Sequence, residues 1–318
     1  MNRSAPHNFA DALRGQRALV TGGAGFIGSH IAHALLAHGC AVRIVDDLSG
    51  GLRSNIPAGA ELIESSIMDR AVLSRAIDGC KFVFHQAAVV SVPESVEHPV
   101  RCSEVNVLGT QYVLEAARAA KVSRVMFAAS AAAYGNTPTL PCSESHVPDS
   151  YSPYAMSKVA GELLLQTYAR CYGLSTVSLR YFNVYGPRQN PNSPYAAVIS
   201  KFNQLIRENK SPIIFGDGLQ TRDFVFVEDV VRANLLAATS PKPLAGEVLN
   251  IGTGTRITLI DVLNHIARVL GRSVTPTHKD TRAGDIRDSV ADISRAKGVL
   301  GYEPSVKFAQ GIERTLHA

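Results

Sequence analysis

The chain contains no run of about 18 apolar residues, so a membrane-spanning helix is excluded. Its start, MNRSAPHNFADALRGQ, lacks the apolar stretch of a secretory signal, and a cytoplasmic protein is expected. Cysteine is sparse. Cys40, Cys80, Cys102, Cys142 and Cys171 are odd in number, widely spaced and free of any CxxC pair, which argues against a disulfide scaffold or a zinc site. The ten histidines form no HxxxH or HExxH cluster, so no metal is expected. No basic block is present: 32 Lys and Arg face 27 Asp and Glu, a net +5 spread along the chain, and neither nucleic acid nor membrane is an expected partner. No self-similarity at a period of roughly 20 to 50 residues is visible, which excludes a solenoid or propeller.

What remains is a globular composition, 46% hydrophobic and 19% charged over 318 residues, enough for about two domains. Short apolar runs alternate with helical stretches. ALVTG (18–22), AVRIVDD (41–47), ELIES (61–65), KFVFHQAA (81–88), RVMFAAS (124–130) and TVSLRYFNV (176–184) read as strands. Helices are expected from Ser29 to Ala37, over MDRAVLSRAI, over 103–120 and over 154–172. Strands separated by helices of this length give an α/β fold, a Rossmann-type doubly wound parallel sheet. Past Gly186 the texture becomes irregular; PIIFGDG and RDFVFV read as short strands and ITLIDVLNHIARVLG as an amphipathic helix. The expected organisation is an N-terminal extension (1–15), a dinucleotide-binding domain (16–180) and a smaller mixed α/β substrate domain (181–318). Near 249–254 the chain is expected to cross back to the first domain.

TGGAGFIGSH places Gly22, Gly25 and Gly28 between a predicted strand and a predicted helix. A pyrophosphate must approach backbone N–H groups at a helix N-terminus, where the helix dipole favours negative charge. A Cβ at Gly22 or Gly25 would obstruct that approach, and Gly28 lets helix and strand pack closely. Phe26 and Ile27 lie between these glycines. Asp46 ends the second strand, where a carboxylate can accept hydrogen bonds from the adenosine ribose and repel a 2′-phosphate. Asp47 reinforces that repulsion, and Arg43 points to the other side of the strand. The expected cofactor is NAD, not NADP.

Tyr154 and Lys158 are i and i+4 on one predicted helix and share a face. The Lys158 ammonium and an oxidised nicotinamide are both expected to favour the Tyr154 phenolate, making it a general base for an alcohol. Ser130 ends a strand at the sheet edge where ligands of open parallel sheets sit.

Together TGGAGFIG, Asp46, HQAA (85–88), Asn106, ASAAAYG (129–135), YAMSK (154–158) and RYFNVYGPRQ (180–189) resemble the extended short-chain dehydrogenase/reductases, and within them the UDP-sugar 4-epimerases. The resemblance runs from about residue 16 to the C-terminus. It implies a catalytic trio of Ser130, Tyr154 and Lys158, with Asn106 supporting the active-site helix. Ala87 and the backbone of Tyr181 and Phe182 would border the nicotinamide side. Asn183, Arg222 and Arg282 would hold the substrate diphosphate, as cationic forks suit phosphate oxygens, and Asp285 the uridine ribose. The family usually has Gly-Asp-Ile after the third strand. Here Ser65, Ser66 and Ile67 stand there, so adenine is met by a hydroxyl at Ser66 in place of a charge.

Related dehydratases carry an acidic pair after the catalytic hydroxyl residue, and decarboxylases often a glutamate. Here Ala131, Ala132 and Ala133 follow Ser130, which favours hydride transfer alone, as 4-epimerisation requires. By the same resemblance Ser289 occupies the position that walls the sugar's C2 substituent, and Ser91 a loop that helps hold an acetamido group. Both imply UDP-GlcNAc/UDP-GalNAc interconversion, with UDP-Glc/UDP-Gal as a second pair. A nucleotide-sugar lyase or a UDP-glucuronate 4-epimerase is the alternative, and a redox-sensing NAD-binding regulator is disfavoured by the retained Tyr–Lys pair. Apolar residues on the helices 103–120 and 154–172, such as Val113, Leu164 and Leu165, point to a homodimer paired through them.

Overall fold

The structure, a computed structural model, describes residues 9–189, 198–281 and 286–317. In chain order the first half runs α1 (Phe9–Leu13), β1 (Arg17–Thr21), α2 (Phe26–Ala37), β2 (Ala41–Asp46), β3 (Glu61–Glu64), α3 (Arg70–Ile77), β4 (Phe82–His85), α4 (Val92–Glu97), α5 (Pro99–Ser103), α6 (Gly109–Ala119), β5 (Arg124–Ser130), α7 (Pro153–Tyr172) and β6 (Thr176–Tyr181). The second half adds β7 (Asn183–Tyr185), α8 (Val198–Arg207), β8 (Ile213–Phe215), β9 (Thr221–Arg222), β10 (Phe224–Phe226), α9 (Val227–Thr239), β11 (Ala245–Ile251), β12 (Ile257–Thr258), α10 (Leu259–Val269), β13 (Thr277–Lys279), α11 (Ser294–Leu300) and α12 (Phe308–Leu316).

Seven strands form one sheet in the order β11-β6-β5-β4-β1-β2-β3, every neighbour parallel. Its strands are near-continuous apolar runs because both faces are covered. Side chains alternate by strand geometry: Ala18 and Val20 pack with Ile31 and Leu35 of α2 and Val230 of α9, while Leu19 packs with Leu73 of α3 and Leu114 of α6. The chain leaves β1 in one direction for β2 and β3 and returns on its other side for β4. That reversal opens a crevice between the C-terminal ends of β1 and β4, the position at which such sheets take ligands. β11 lies beside β6, with Leu249, Asn250 and Ile251 opposite Leu179, Arg180 and Tyr181. Among the described residues, no helix is long and apolar enough to cross a membrane.

Three expectations change. The run 176–184 is not one strand. Phe182 still donates its N–H to Ile251 of β11, but Asn183 donates to Asp223 at 3.0 Å, and β7 pairs with β10 in a separate small sheet. The helix expected over 103–120 is interrupted by a π-helical turn at Glu104–Leu108, which carries Asn106. Val113 and Leu165 are fully buried in the core and offer no docking surface, while Leu164 packs against it half-buried; the exposed apolar side chains near them are Leu108, Met156, Leu163 and Tyr172.

Inside this framework the guanidinium of Arg180 on β6 meets the carboxylate of Glu162 on α7 in a two-pronged pair, Nε–Oε1 and Nη2–Oε2 both 2.7 Å, and lies 4.7 Å from the ring centre of Tyr134. Both side chains are about 97% buried, so each charge is held out of water by the other. Substituting Glu162→Leu should leave a buried cation unpaired and lower unfolding free energy by about 3–5 kcal/mol, against a smaller loss for Glu162→Gln, as read from urea denaturation.

Candidate active site

The first turn of the crevice is shaped by contacts that only hydrogen atoms permit. Gly22 has φ +69°, and a Cβ there would stand 2.7 Å from the backbone nitrogen of Ala87 at the end of β4. A Cβ on Gly28 would meet the Gly22 carbonyl oxygen at 2.2 Å. Gly25 precedes α2, whose first turn carries no acidic residue and no side-chain cap among the described residues. The N–H groups of Phe26, Ile27 and Gly28 therefore face the crevice mouth without a protein acceptor from a cap, which fits a pyrophosphate.

Asp46 ends β2 beside this turn. One carboxylate oxygen accepts from the Ala24 N–H (2.9 Å) and the other from the Leu48 N–H (2.8 Å). Burial pushes its pKa up, and these two donors oppose that. Each oxygen keeps a lone pair for a ribose hydroxyl. Asp47 is exposed and engaged by Ser49. Arg43 turns away to Glu61 at 2.9 Å. Ser66 accepts from the Met68 N–H at 3.2 Å, and Ile67 is buried against the core. The residues present thus fit a dinucleotide with an unphosphorylated ribose.

Ser130, Tyr154 and Lys158 converge. Ser152 caps α7 by accepting from the Ala155 N–H, and Pro153 opens its first turn, so Tyr154 projects from a well-started helix. The Ser130 hydroxyl lies against the Tyr154 phenol and favours its ionised form, yet burial dominates and holds the phenol above its ordinary pKa. Lys158 is buried; its ammonium donates to the Ala128 carbonyl at 2.8 Å and lies 5.8 Å from the Tyr154 ring centre. Burial pulls its pKa down to about 8. In the chain alone burial is the largest influence on both groups, raising the phenol and lowering the ammonium.

Asn106 braces the helix. Its side chain exchanges hydrogen bonds with Val89 N–H (2.8 Å) and C=O (2.9 Å) and donates to the Ser157 hydroxyl (2.9 Å), which donates to the Tyr154 carbonyl (2.7 Å). The Tyr154 N–H is taken by Ser95 of α4 at 3.1 Å. Ser91 caps that same helix through the Glu94 N–H. Ser95 and Ser157 escape sequence reading because an isolated buried serine has no pattern.

On the substrate side, Asn183, Arg222 and Ser289 come together. Asn183 donates through both its N–H and its side-chain amide to the Asp223 carbonyl. Arg222 donates to the carbonyls of Thr221 (2.8 Å) and Arg287 (3.2 Å), and Ser289 donates its N–H to Thr221 at 3.2 Å. Asp223, missed in the sequence, is the hub. Fully buried, it accepts from Thr253 N–H and hydroxyl, Gly254 N–H and Ala291 N–H, and burial raises its pKa. Its position beside Arg222 was the available signal. Arg282 and Asp285 lie outside the described residues. Tyr181 is buried, its hydroxyl held by Asn234 (2.8 Å) and near Gln86.

Fold and site define a nucleotide-binding α/β protein with a Ser–Tyr–Lys centre at the sheet's crevice. A family model described as the NAD dependent epimerase/dehydratase family matches residues 18–252, and the chain belongs to that family. It is 40% identical over 308 residues to a UDP-glucose 4-epimerase of Mycolicibacterium smegmatis, covering 94% of this chain and 97% of the relative. A UDP-N-acetylglucosamine 4-epimerase from Methanobrevibacter ruminantium, solved in complex with UDP-N-acetylmuramic acid, superposes with a TM-score of 0.91 at 38% identity over 96% of this chain and 98% of that one. A UDP-glucose 4-epimerase from Thermotoga maritima, solved with UDP-glucose, gives 0.91 at 39% identity over 95% and 98%.

The buried lysine predicts a pH effect. Below about pH 8 folded and unfolded chains both carry the Lys158 proton, and the burial penalty is fully present. As pH rises from about 8 toward the ordinary value of 10.5, the folded chain sheds a proton that the unfolded chain keeps, so this residue's contribution to stability improves. Urea midpoints of the native chain and Lys158→Met across that window should diverge in slope, the native chain gaining more with pH.

Proposed function

We propose that the protein is an isomerase, an NAD-dependent 4-epimerase of UDP-hexoses that interconverts UDP-GlcNAc and UDP-GalNAc and also accepts UDP-glucose and UDP-galactose. The observation that carries the reading is the turn after Ser130. Ala131–Tyr134 form a 3-10 turn whose residues bear no carboxylate, and the nearby acid Glu162 is consumed by Arg180. A lyase would need a proton carrier there; an epimerase needs none. The three similar proteins reported above bear the names of UDP-glucose or UDP-N-acetylglucosamine 4-epimerases, which supports an epimerase.

Bound NAD supplies a hydride acceptor at the sugar's C4 that also returns the hydride. Tyr154 removes the proton from the 4-hydroxyl and later gives it back, and Ser130 holds the same oxygen. Lys158 keeps a positive charge beneath them. Arg222 and Asn183, with Arg282, hold the diphosphate while the 4-keto sugar turns to present its other face, and Asp285 takes the uridine ribose. Asp46 takes the adenosine ribose, the N–H groups of Phe26, Ile27 and Gly28 take the pyrophosphate, and Ser66 and Ile67 border the adenine. Ser289 leaves room beside C2, and Ser91 stands on the acetamido side. We infer a homodimer whose seam uses Leu108, Met156, Leu163 and Tyr172, all exposed in the single chain.

Incubation with UDP-GlcNAc, UDP-glucose and UDP-glucuronate separately should give isobaric stereoisomers from the first two; loss of water or CO₂ in the product mass would overturn the reading. Tyr154→Phe should lower turnover by roughly a hundred- to ten-thousand-fold with NAD still bound. Ser289→Tyr should cut conversion of the N-acetylated pair by about tenfold and spare the plain hexoses, measured by competition between the two substrates.

A further inference from the structure

His85 ends β4, between β1 and β5 in the central sheet, and is 1% exposed. Its Nε2 lies 2.9 Å from the Thr110 hydroxyl and its Nδ1 lies 2.7 Å from the Thr21 hydroxyl. The directions of these bonds can be worked out. Thr110 donates its only hydroxyl proton to the Asn106 carbonyl at 2.6 Å. Its oxygen must therefore accept from His85, which puts the ring proton on Nε2. Nδ1 is then a bare lone pair and accepts the Thr21 proton. Thr21, its proton spent, accepts from the Ala87 N–H at 3.3 Å. The Ala87 nitrogen is also the atom that a Cβ on Gly22 would meet first. A one-directional chain of hydrogen bonds thus runs from Ala87 through Thr21, His85 and Thr110 to the Asn106 carbonyl. Asn106 in turn braces Val89 and, through Ser157, Tyr154.

We propose that His85 is a positioning residue, held as the neutral Nε2–H tautomer, which locks the Gly22–Ala87 seat of the nucleotide to the brace behind Tyr154. Two environmental facts keep it neutral. It is fully enclosed, with the Phe127 ring 5.5 Å away, and the charged group that acts on it is the Lys158 ammonium. Both disfavour a second ring proton, and its pKa falls to about 3. A charged imidazole would turn Nδ1 into a donor and reverse the Thr21 bond, leaving the Thr21 proton without the ring as its acceptor. The role in retention rests on the Gly22 turn being the NAD seat; the tautomer does not.

The test has two arms. In protein labelled with 15N-histidine, His85 should show a protonated Nε2 and an unprotonated Nδ1 from about pH 5 to about pH 8. An Nδ1–H signal, or titration within that range, would overturn the proposal. In the second arm NAD retention is measured by equilibrium titration of NAD into nucleotide-stripped protein. Thr21→Val, which removes the hydroxyl at nearly constant volume, should weaken NAD binding by about tenfold, while Thr21→Ser should restore it. Equal weakening in both variants, or none in Thr21→Val, would overturn the role. Should Thr21→Val fail to fold, Thr110→Val gives the other end of the chain and should disturb the His85 tautomer and NAD affinity together; an unchanged tautomer and affinity would overturn the proposal. Native protein that binds no NAD, with the tautomer as expected, would sink the cofactor reading and the retention role but not the assignment of the proton.

Discussion

Keeping an ammonium out of water beneath the catalytic helix is the constraint on which the rest of the molecule turns. An ammonium without compensation would be far too costly to bury, and Lys158 is given little: the Ala128 carbonyl, the faces of two rings, and the field of a glutamate one turn along. That arrangement requires α7 to lie flat and close on β5, which Gly161 permits, since a Cβ there would stand 2.5 Å from the Phe127 ring. It also requires Glu162 to stay where it is, and the Arg180 fork holds it. The two ionic features of the sheet's central layer are therefore one device. The phenol beside them is raised in pKa by the same burial.

Much of the fold was legible because its signals are local and repetitive. β5 was read to the residue from RVMFAAS, a strand buried on both faces, and α7 began within a residue of its expected start because Ser152 and Pro153 are a cap and a first-turn proline. The glycine turn was legible for the same reason: its constraint is steric and acts over a few residues. The misreadings have a shared cause. The run 176–184 alternates well enough for one strand, and nothing local announces that Asn183 will find a partner at Asp223 instead of continuing along β11. The π turn around Asn106 is likewise the product of a distant contact, the clasp on Val89.

The site divides along the same line. Ser130, Tyr154 and Lys158 could be nominated from spacing, but their supports could not. Ser95, Ser157, His85, Thr21 and Asp223 are ordinary residues in the sequence, and their importance comes from what folding brings to them. Buried polar groups of this kind are worth little when paired and costly when not, so each one fixes an arrangement more than it adds stability. Val113 and Leu165 teach the converse. An apolar residue in excess of one helical stripe looked like a surface for a partner, and the sheet and α6 had already claimed it.

The departure of the chain from the main sheet at Phe182 has a mechanical consequence. Tyr181 still pairs with the main sheet through β5, while Asn183, two residues on, is stitched to Asp223, the residue after Arg222. The main sheet and the small β7–β10 sheet are thus joined through a single residue, Phe182. Three consecutive residues set that seam, and lengthening it by a single residue would shift β7 against β6.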